Sequence, residues 1–209
     1  MYRMPRAVAG LCLAAGAFAF SSAAFAWGDT AAQVWIQRTD AMVAAATQPI
    51  YPADSPNAGK NVIYVYPQSG LALLGKSQKP DGYDANEAAA AAYIEAMKKT
   101  CSGLTGEHIK NGGKNMPVWA QTAQGRFCGA IDALKGAAFD DPGNKDRCKN
   151  AESAINYAGK AKAGEDPEAV VEAAKRLIAA AESLKALDLV MVKRSAGGAA
   201  EATRTFSCK

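Results

Sequence analysis

The run from Glu168 to Met191 constrains the fold of this chain more than any other feature. Just before it, Asp166 is placed to accept hydrogen bonds from the first free amides of a helix. Pro167 falls at the first helical position, where a missing N–H costs nothing. The apolar side chains recur at steps of three and four residues, the spacing of one helix face: Val170, Ala174, Leu177, Ala181 and Leu184. We therefore predict a long amphipathic helix over 168–191, against which the earlier segments pack.

The amino-terminal segment has the pattern of a secretory signal peptide over residues 1–26. Arg3 and Arg6 supply a positive start, and Val8–Phe20 is an apolar core too short to span a bilayer. Ala24-Phe25-Ala26 then provides small residues on both sides of a phenylalanine, as signal cleavage requires. We predict cleavage before Trp27 and a periplasmic or secreted product. An uncleaved membrane anchor is the alternative.

The remaining chain, residues 27–209, has the size of one domain. Removing Arg3 and Arg6 lowers the formal net charge from +4 to about +2, since each arginine carries one charge. Such a small excess does not favour nucleic acid or an anionic membrane surface as a partner. No further segment is long and apolar enough to span a membrane, so we expect none after signal cleavage.

Cysteine usage agrees with export from the cytoplasm. Four of the five cysteines remain after cleavage, and an even count in an exported chain predicts two disulfides. Three pairings are possible, and the sequence does not choose between them. A metal site is the alternative, but no two cysteines are close in sequence. The four residues are Cys101, Cys128, Cys148 and Cys208.

Five segments have helical periodicity or helix-start signals, and they predict an all-α fold. The helices are expected to begin near residues 29, 84, 117, 144 and 168. The polar link Lys160–Gly164 is short, which makes the last two helices antiparallel neighbours. We predict a single-domain up-and-down bundle of about five helices.

Two segments interrupt this helical pattern. Residues 48–83 form a proline-rich arm that includes Val62–Tyr66, a β-branched and aromatic stretch typical of a strand. Its only nearby partner is the weak candidate Leu71–Leu74, so an extended arm, a small hairpin and pairing with another chain all stay open. Residues 193–209 are expected to be a flexible tail that a disulfide at Cys208 would pin.

Catalytic and cofactor motifs are weak in this sequence. His108 is the only histidine, and it lies in a glycine-rich loop without a patterned partner. The absence of Cys-x-x-Cys-His excludes covalent haem attachment, although haem held by His108 with Met97 or Met116 is formally possible. We predict no catalytic residue and no cofactor, and that His108→Ala leaves function intact.

Oxygen-bearing side chains do not form a recognisable metal or acid–base site either. The cluster around Asp140 lacks the spacing and the closing glutamate of a calcium-binding loop. Helix capping explains Asp140 or Asp141, and the other residues of the cluster are Asn144 and Asp146. The glutamates available for paired acid–base chemistry are better explained as solvated helix faces: Glu95, Glu152, Glu165 and Glu182. We therefore predict no metal.

Aromatic residues in the irregular parts of the chain are the candidate binding residues. Tyrosine and tryptophan commonly anchor interfaces, and the candidates are Trp27, Tyr51, Tyr64, Tyr66 and Tyr83. Alternation along an extended chain places Val62, Tyr64 and Tyr66 on one face. Ile63 and Val65, on the other face, would pack on the bundle and leave the tyrosines displayed. The alternative is that these aromatics cover the apolar face of the bundle.

These observations favour an exported, non-enzymatic helical module that binds or assembles with another envelope or extracellular protein. The partner would contact the tyrosine face or the unpaired strand edge. The alternative is a periplasmic small-molecule or cofactor-binding bundle with its pocket between helices. A hydrolase ranks third because a nucleophile constellation is missing.

Overall fold

The computed structural model describes residues 27–65, 83–102, 116–135, 143–194 and 200–208. Within these ranges the chain forms one mostly helical domain with a small sheet, which confirms the predicted helical bundle. None of the helices in this part of the chain combines the length and apolarity needed to cross a membrane. The helices are α1 (Asp29–Thr47), α2 (Tyr83–Cys101), α3 (Val118–Asp132), α4 (Asn144–Ala158) and α5 (Glu168–Lys185).

Helix α5 occupies the centre of the packing. Seven of its side chains are buried, at the helical spacing that the sequence predicts: Val170, Ala173, Ala174, Leu177, Ala180, Ala181 and Leu184. It packs against both α1 and α4. Arg147 near the start of α4 reaches the carbonyl oxygen of Leu184 near the end of α5. These two helices are therefore antiparallel neighbours, as their short link predicts.

The sheet corrects the prediction for the end of this helix. Helix α5 stops at Lys185 rather than Met191, and the chain continues as strand β2 (Asp188–Arg194). Strand β1 (Val62–Val65) pairs with β2 in parallel, and β3 (Ala200–Phe206) pairs with β2 antiparallel. The strand order is β1-β2-β3. The strand candidate thus pairs within the chain, and the expected flexible tail contains a strand.

Asp166 has a different role from the predicted helix cap. Its side chain accepts a hydrogen bond from the indole Nε1 of Trp27 at 2.7 Å and another from the backbone N of Lys162 at 2.9 Å. The residue at the helix cap is Pro167, which makes no side-chain capping bond. Asp166 therefore ties the turn before α5 to the start of the domain, where Trp27 is buried.

Trp27 belongs to a tryptophan cluster with Trp35 and Trp119. The three ring centroids lie 5.6–5.8 Å apart in edge-to-face arrangements, the geometry that aromatic quadrupoles prefer. Trp35 Nε1 donates to the carbonyl oxygen of Ala120 at 3.0 Å. The cluster therefore joins α1 and α3, and it contains every tryptophan of the chain.

Both predicted disulfides form. Cys101–Cys128 joins the end of α2 to α3, and Cys148–Cys208 joins the first half of α4 to the segment after β3. In the sequence, Cys101 and Cys148 each fall on the apolar stripe of a helix, a pattern that predicts largely buried bonds. Cys128 is buried, but Cys101, Cys148 and Cys208 are each partly exposed. The buried face of α4 contains Arg147 and not Cys148.

Candidate binding cleft

The segment between α1 and β1 is a series of tight turns and not an extended strand. The backbone N of Ser55 donates to the carbonyl oxygen of Pro52, and the N of Lys60 donates to that of Asn57, both at 3.0 Å. Gly59 has a φ of 71°, a left-handed conformation that favours glycine. Prolines forbid regular helix here, and the turns provide an alternative set of backbone hydrogen bonds.

Two contacts fix this arm against its neighbours. Asn57, only 8% exposed, donates from Nδ2 to Oδ1 of Asn86 on α2 at 2.8 Å. Lys60 Nζ donates to Oδ1 of the same Asn57 at 2.9 Å. On the side of the sheet, the ring of Tyr51 lies 6.4 Å from the ring of Tyr64 on β1. Hydrogen bonding satisfies both ends of the Asn57 amide, so this buried polar group holds the arm in one position.

A cleft of about 550 Å³ opens between the arm and the first turns of α2. Nine residues line it: Tyr51, Pro52, Asp54, Ser55, Pro56, Asn57, Ala85, Asn86 and Ala89. We call this feature the arm cleft. Its size is within the range of small-ligand sites, which combine apolar walls with a few polar groups.

The lining is neutral over most of its surface. Asp54 is its only charged side chain at neutral pH, and Asp54 is exposed. The amides of Asn57 and Asn86 and the hydroxyl of Ser55 supply donors and acceptors beside the aromatic ring of Tyr51. Such a surface suits a neutral ligand, a peptide backbone, or a cationic group placed near Asp54.

The structure brings together some of the aromatic residues that the sequence singles out. Tyr51 lines the arm cleft and is buried, and Tyr64 is half-buried against it. The ring of Tyr64 is therefore not fully displayed, although Ile63 on the opposite face is buried as predicted. Trp27 belongs to the tryptophan cluster and does not line the arm cleft. Tyr66 and the side chain of Tyr83 lie outside the described part of the chain.

The structure describes only some of the residues that the sequence offers as candidates for metal or haem chemistry. His108, Asp140 and Asp141 lie outside the described residues. Met97 and Met116 are buried in the hydrophobic core. Asn144 accepts hydrogen bonds from the Arg147 guanidinium. Across the five described ranges, no group of three or more His, Cys, Asp or Glu residues is arranged to hold a metal ion.

Sequence reasoning missed a buried arginine. Arg147 is fully buried, and its Nη1 donates to the carbonyl oxygen of Leu184 at 2.5 Å. Burial lowers the pKa of Arg147 to about 10, while the nearby charge of Asp188 partly opposes that shift. The guanidinium satisfies carbonyl groups at the end of α5, where backbone acceptors lack helical partners. Nothing in the sequence pattern distinguishes this arginine from a solvated one.

Sequence reasoning also missed the Asn57–Asn86 contact. The two residues are 29 positions apart, and neither belongs to a recognisable motif. Asn86 lies in the first turn of an alanine-rich helix, where its side chain would ordinarily be solvated. Only the folded arm brings the two amides together.

The chain matches no protein-family model, no curated protein and no solved structure. Three properties of the arm cleft indicate what it can bind: its volume, its largely neutral lining and the fixed position of the arm.

Proposed function

We propose that this protein is an exported, non-enzymatic binding module that engages a partner through the arm cleft. The observation that carries the proposal is the cleft itself, in which a buried tyrosine and two paired asparagines line one concave surface. The favoured partner is another envelope or extracellular protein that inserts a neutral or cationic segment. Exposed Pro52 and Pro56 contribute apolar surface to the lining of the cleft.

The lining supports binding over catalysis. General acid–base chemistry needs a titratable group held close to a substrate, and nucleophilic catalysis needs an activated nucleophile beside a base. The nine lining residues include no cysteine and no histidine, and Asp54 is their only carboxylate. The amides and the aromatic ring instead offer hydrogen bonds and contact area, the usual components of a recognition surface.

Disulfide content supports the proposed location. The two disulfides are typical of proteins that fold in oxidising compartments such as the periplasm or the extracellular space. The signal-peptide pattern of residues 1–26 supports the same location, with cleavage before Trp27.

A second candidate function is small-molecule binding in the same cleft. The volume of about 550 Å³ favours it, because clefts of this size enclose most of the surface of a small ligand. The two functions share one site, and the kind of partner that occupies the cleft distinguishes them.

The test uses a matched pair of leucine substitutions on α2. Ala85 lines the arm cleft and Ala88 does not, although both are exposed alanines on the same helix. Each variant and the wild type are isolated from the periplasm or culture medium under non-denaturing conditions. Native mass spectrometry measures the bound species, and chemical cross-linking records protein partners. We expect Ala85→Leu to reduce occupancy at least tenfold, about 1.4 kcal/mol, and Ala88→Leu to leave it unchanged.

The outcomes separate the candidates. A protein that cross-links to wild type and is lost in Ala85→Leu supports the favoured proposal. A bound small molecule lost in the same variant supports the second function. Equal occupancy in both leucine variants, with folding intact by tryptophan fluorescence, would contradict the arm cleft as the binding site.

A further inference from the structure

We propose that the Cys148–Cys208 disulfide is a thiol–disulfide exchange site, and that Cys208 accepts a small peptide thiol. Cys208 lines a cavity of about 390 Å³ together with residues from α4 and the end of α5. Its other lining residues are Glu152, Ile155, Glu182, Lys185 and Ala186. One cysteine of a disulfide thus lines a concave, solvent-accessible site large enough for a reacting thiol. This inference is independent of the arm cleft.

The two disulfides differ in the local structure around their cysteines. Cys101 and Cys128 both lie in helices, and Cys128 is 7% exposed. Cys208 lies outside regular structure, two residues after β3 ends at Phe206, and is partly exposed. Attack on a disulfide requires access to a sulfur atom. A residue outside regular structure also opens locally at a lower free-energy cost than a helical one.

Few contacts hold the segment that carries Cys208. Ser207 Oγ donates to Oδ1 of Asp188 at 2.5 Å, and Asn144 Nδ2 donates to the carbonyl oxygen of Ser207 at 3.3 Å. Both contacts are exposed. The β2–β3 ladder, by contrast, extends from Leu189–Phe206 to Arg194–Ala200 and ends before Cys208. Exchange at Cys208 can therefore proceed without unfolding the sheet.

Charges around the cavity suit a peptide thiol that carries both carboxylates and an ammonium group. Lys185 Nζ pairs with Glu152 Oε2 at the cavity, and Glu182 adds a second carboxylate. The Lys185 ammonium is placed to attract a carboxylate of the incoming peptide and to favour a thiolate near Cys208. Glu182 complements the ammonium group. Ile155 supplies apolar contact at the same wall.

The step balances without an external oxidant. The thiolate of the peptide attacks Cys208 Sγ, which forms a new S–S bond and breaks the Cys148–Cys208 bond. The electron pair of the broken bond leaves on Cys148 Sγ, which takes one proton from solvent to replace the proton lost by the peptide thiol. The incoming peptide reaches Cys208 through the cavity that this residue lines, so Cys148 is the leaving group and Cys208 keeps the peptide.

The experiment uses the oxidised full-length mature protein and reduced glutathione as the probe. Aliquots are quenched by alkylation at increasing times, and peptide-mapped mass spectrometry assigns each cysteine. We expect glutathione on Cys208 and an alkylated Cys148 to appear at least about tenfold sooner than any product at Cys101 or Cys128. Low urea concentrations should leave this rate unchanged, because local opening exposes little surface.

A charge variant tests the cavity itself. Lys185→Gln should slow the reaction with glutathione about threefold more than the reaction with 2-mercaptoethanol, which lacks a carboxylate, after correction for thiolate fraction. Tryptophan fluorescence verifies that the variant is folded. Products that appear at Cys101 or Cys128 as fast as at Cys208, glutathione retained on Cys148, or a rate that follows global unfolding in urea would each overturn the proposal.

Discussion

Helices α5 and α2 are of nearly equal length, but they pack in opposite ways. Helix α5 buries seven side chains and contacts both α1 and α4. Helix α2 contacts α1, α3 and β1, yet it leaves four alanines exposed along its first half. The arm cleft lies against that half of α2. The exposed alanines are Ala85, Ala88, Ala91 and Ala92.

The difference separates stability from recognition within one domain. Around α5, close packing and buried polar contacts such as those of Arg147 determine one arrangement of the helices. Around α2, small side chains leave room beside the arm, and a few amide contacts fix the walls of the cleft. We infer that changes near α5 mainly alter the free energy of unfolding, whereas changes near α2 mainly alter binding.

The largest effect is expected from Arg147→Ala. The substitution removes a fully buried guanidinium and leaves the carbonyl oxygen of Leu184 without its donor. We predict a loss of about 3 kcal/mol in the free energy of unfolding, measured by urea denaturation. Arg126→Ala is the control, because Arg126 is exposed and makes one hydrogen bond to Asn150. Similar losses in both variants would mean that burial of Arg147 contributes nothing to the α4–α5 contact.

Asn57→Ala tests the region around α2 and the arm cleft. Loss of the side-chain amide removes its hydrogen bonds with Asn86 and Lys60, and we predict a cost of about 1–2 kcal/mol in the free energy of unfolding. Occupancy of the arm cleft should fall by more than the stability loss explains. The exposed Asn156 of α4 supplies the control Asn156→Ala, for which both quantities should stay at wild-type values. Unchanged occupancy in Asn57→Ala would contradict the claim that binding depends on the position of the arm.

Tyr93 joins α2 to α1, and its burial predicts that the free energy of unfolding depends on pH. Its hydroxyl donates to the carbonyl oxygen of Ala46 on α1 at 2.8 Å, and burial raises its pKa from 10.0 to about 12. Between these values the unfolded chain loses the proton while the folded chain keeps it. The protonated hydroxyl therefore makes its full contribution to the free energy of unfolding below pH 10.0. That contribution is lost as the pH rises to about 12.

Comparison with Tyr93→Phe isolates this contribution. The stability advantage of wild type over the variant should shrink by about 1 kcal/mol between pH 9 and pH 11, measured by urea denaturation at each pH. Other groups titrate in both proteins and cancel in the difference. An advantage that stays constant or grows over this range would mean that the hydroxyl ionises as readily in the folded protein as in the unfolded chain.

Local periodicity was enough to predict the helices but not the sheet. Helix α1 spans residues 29–47 as predicted, because its apolar spacing and the prolines beyond it are both local signals. Leu184, Leu187 and Met191 also follow helical spacing, so the strand that contains Met191 was assigned to the preceding helix. β-branched Val190 and Val192 and the glycines that follow could have indicated the hairpin.

The remaining features depend on contacts between distant residues. Strand β1 pairs with a segment more than 120 positions away, from Val62 to Asp188. Strand β3 has exposed polar residues such as Thr203 and Arg204, so its sequence lacks apolar alternation. Within the arm cleft, the sequence indicated Tyr51 but could not place Asn86 in the same lining. Trp27 is buried because it packs against Trp35 and Trp119, and no local pattern in the sequence predicts that cluster.

Hydrogen exchange measured by mass spectrometry tests most directly that binding takes place on the α2 side of the domain. Protein isolated from its own compartment is compared with the same protein after unfolding, dialysis and refolding with its disulfides intact. We predict slower exchange in the isolated sample within residues 50–57 and 85–89, with α5 unchanged and the slowest-exchanging helix in both samples. A difference concentrated in α5 or the tryptophan cluster, or no difference while native mass spectrometry detects a bound species, would contradict the arm cleft as the binding site.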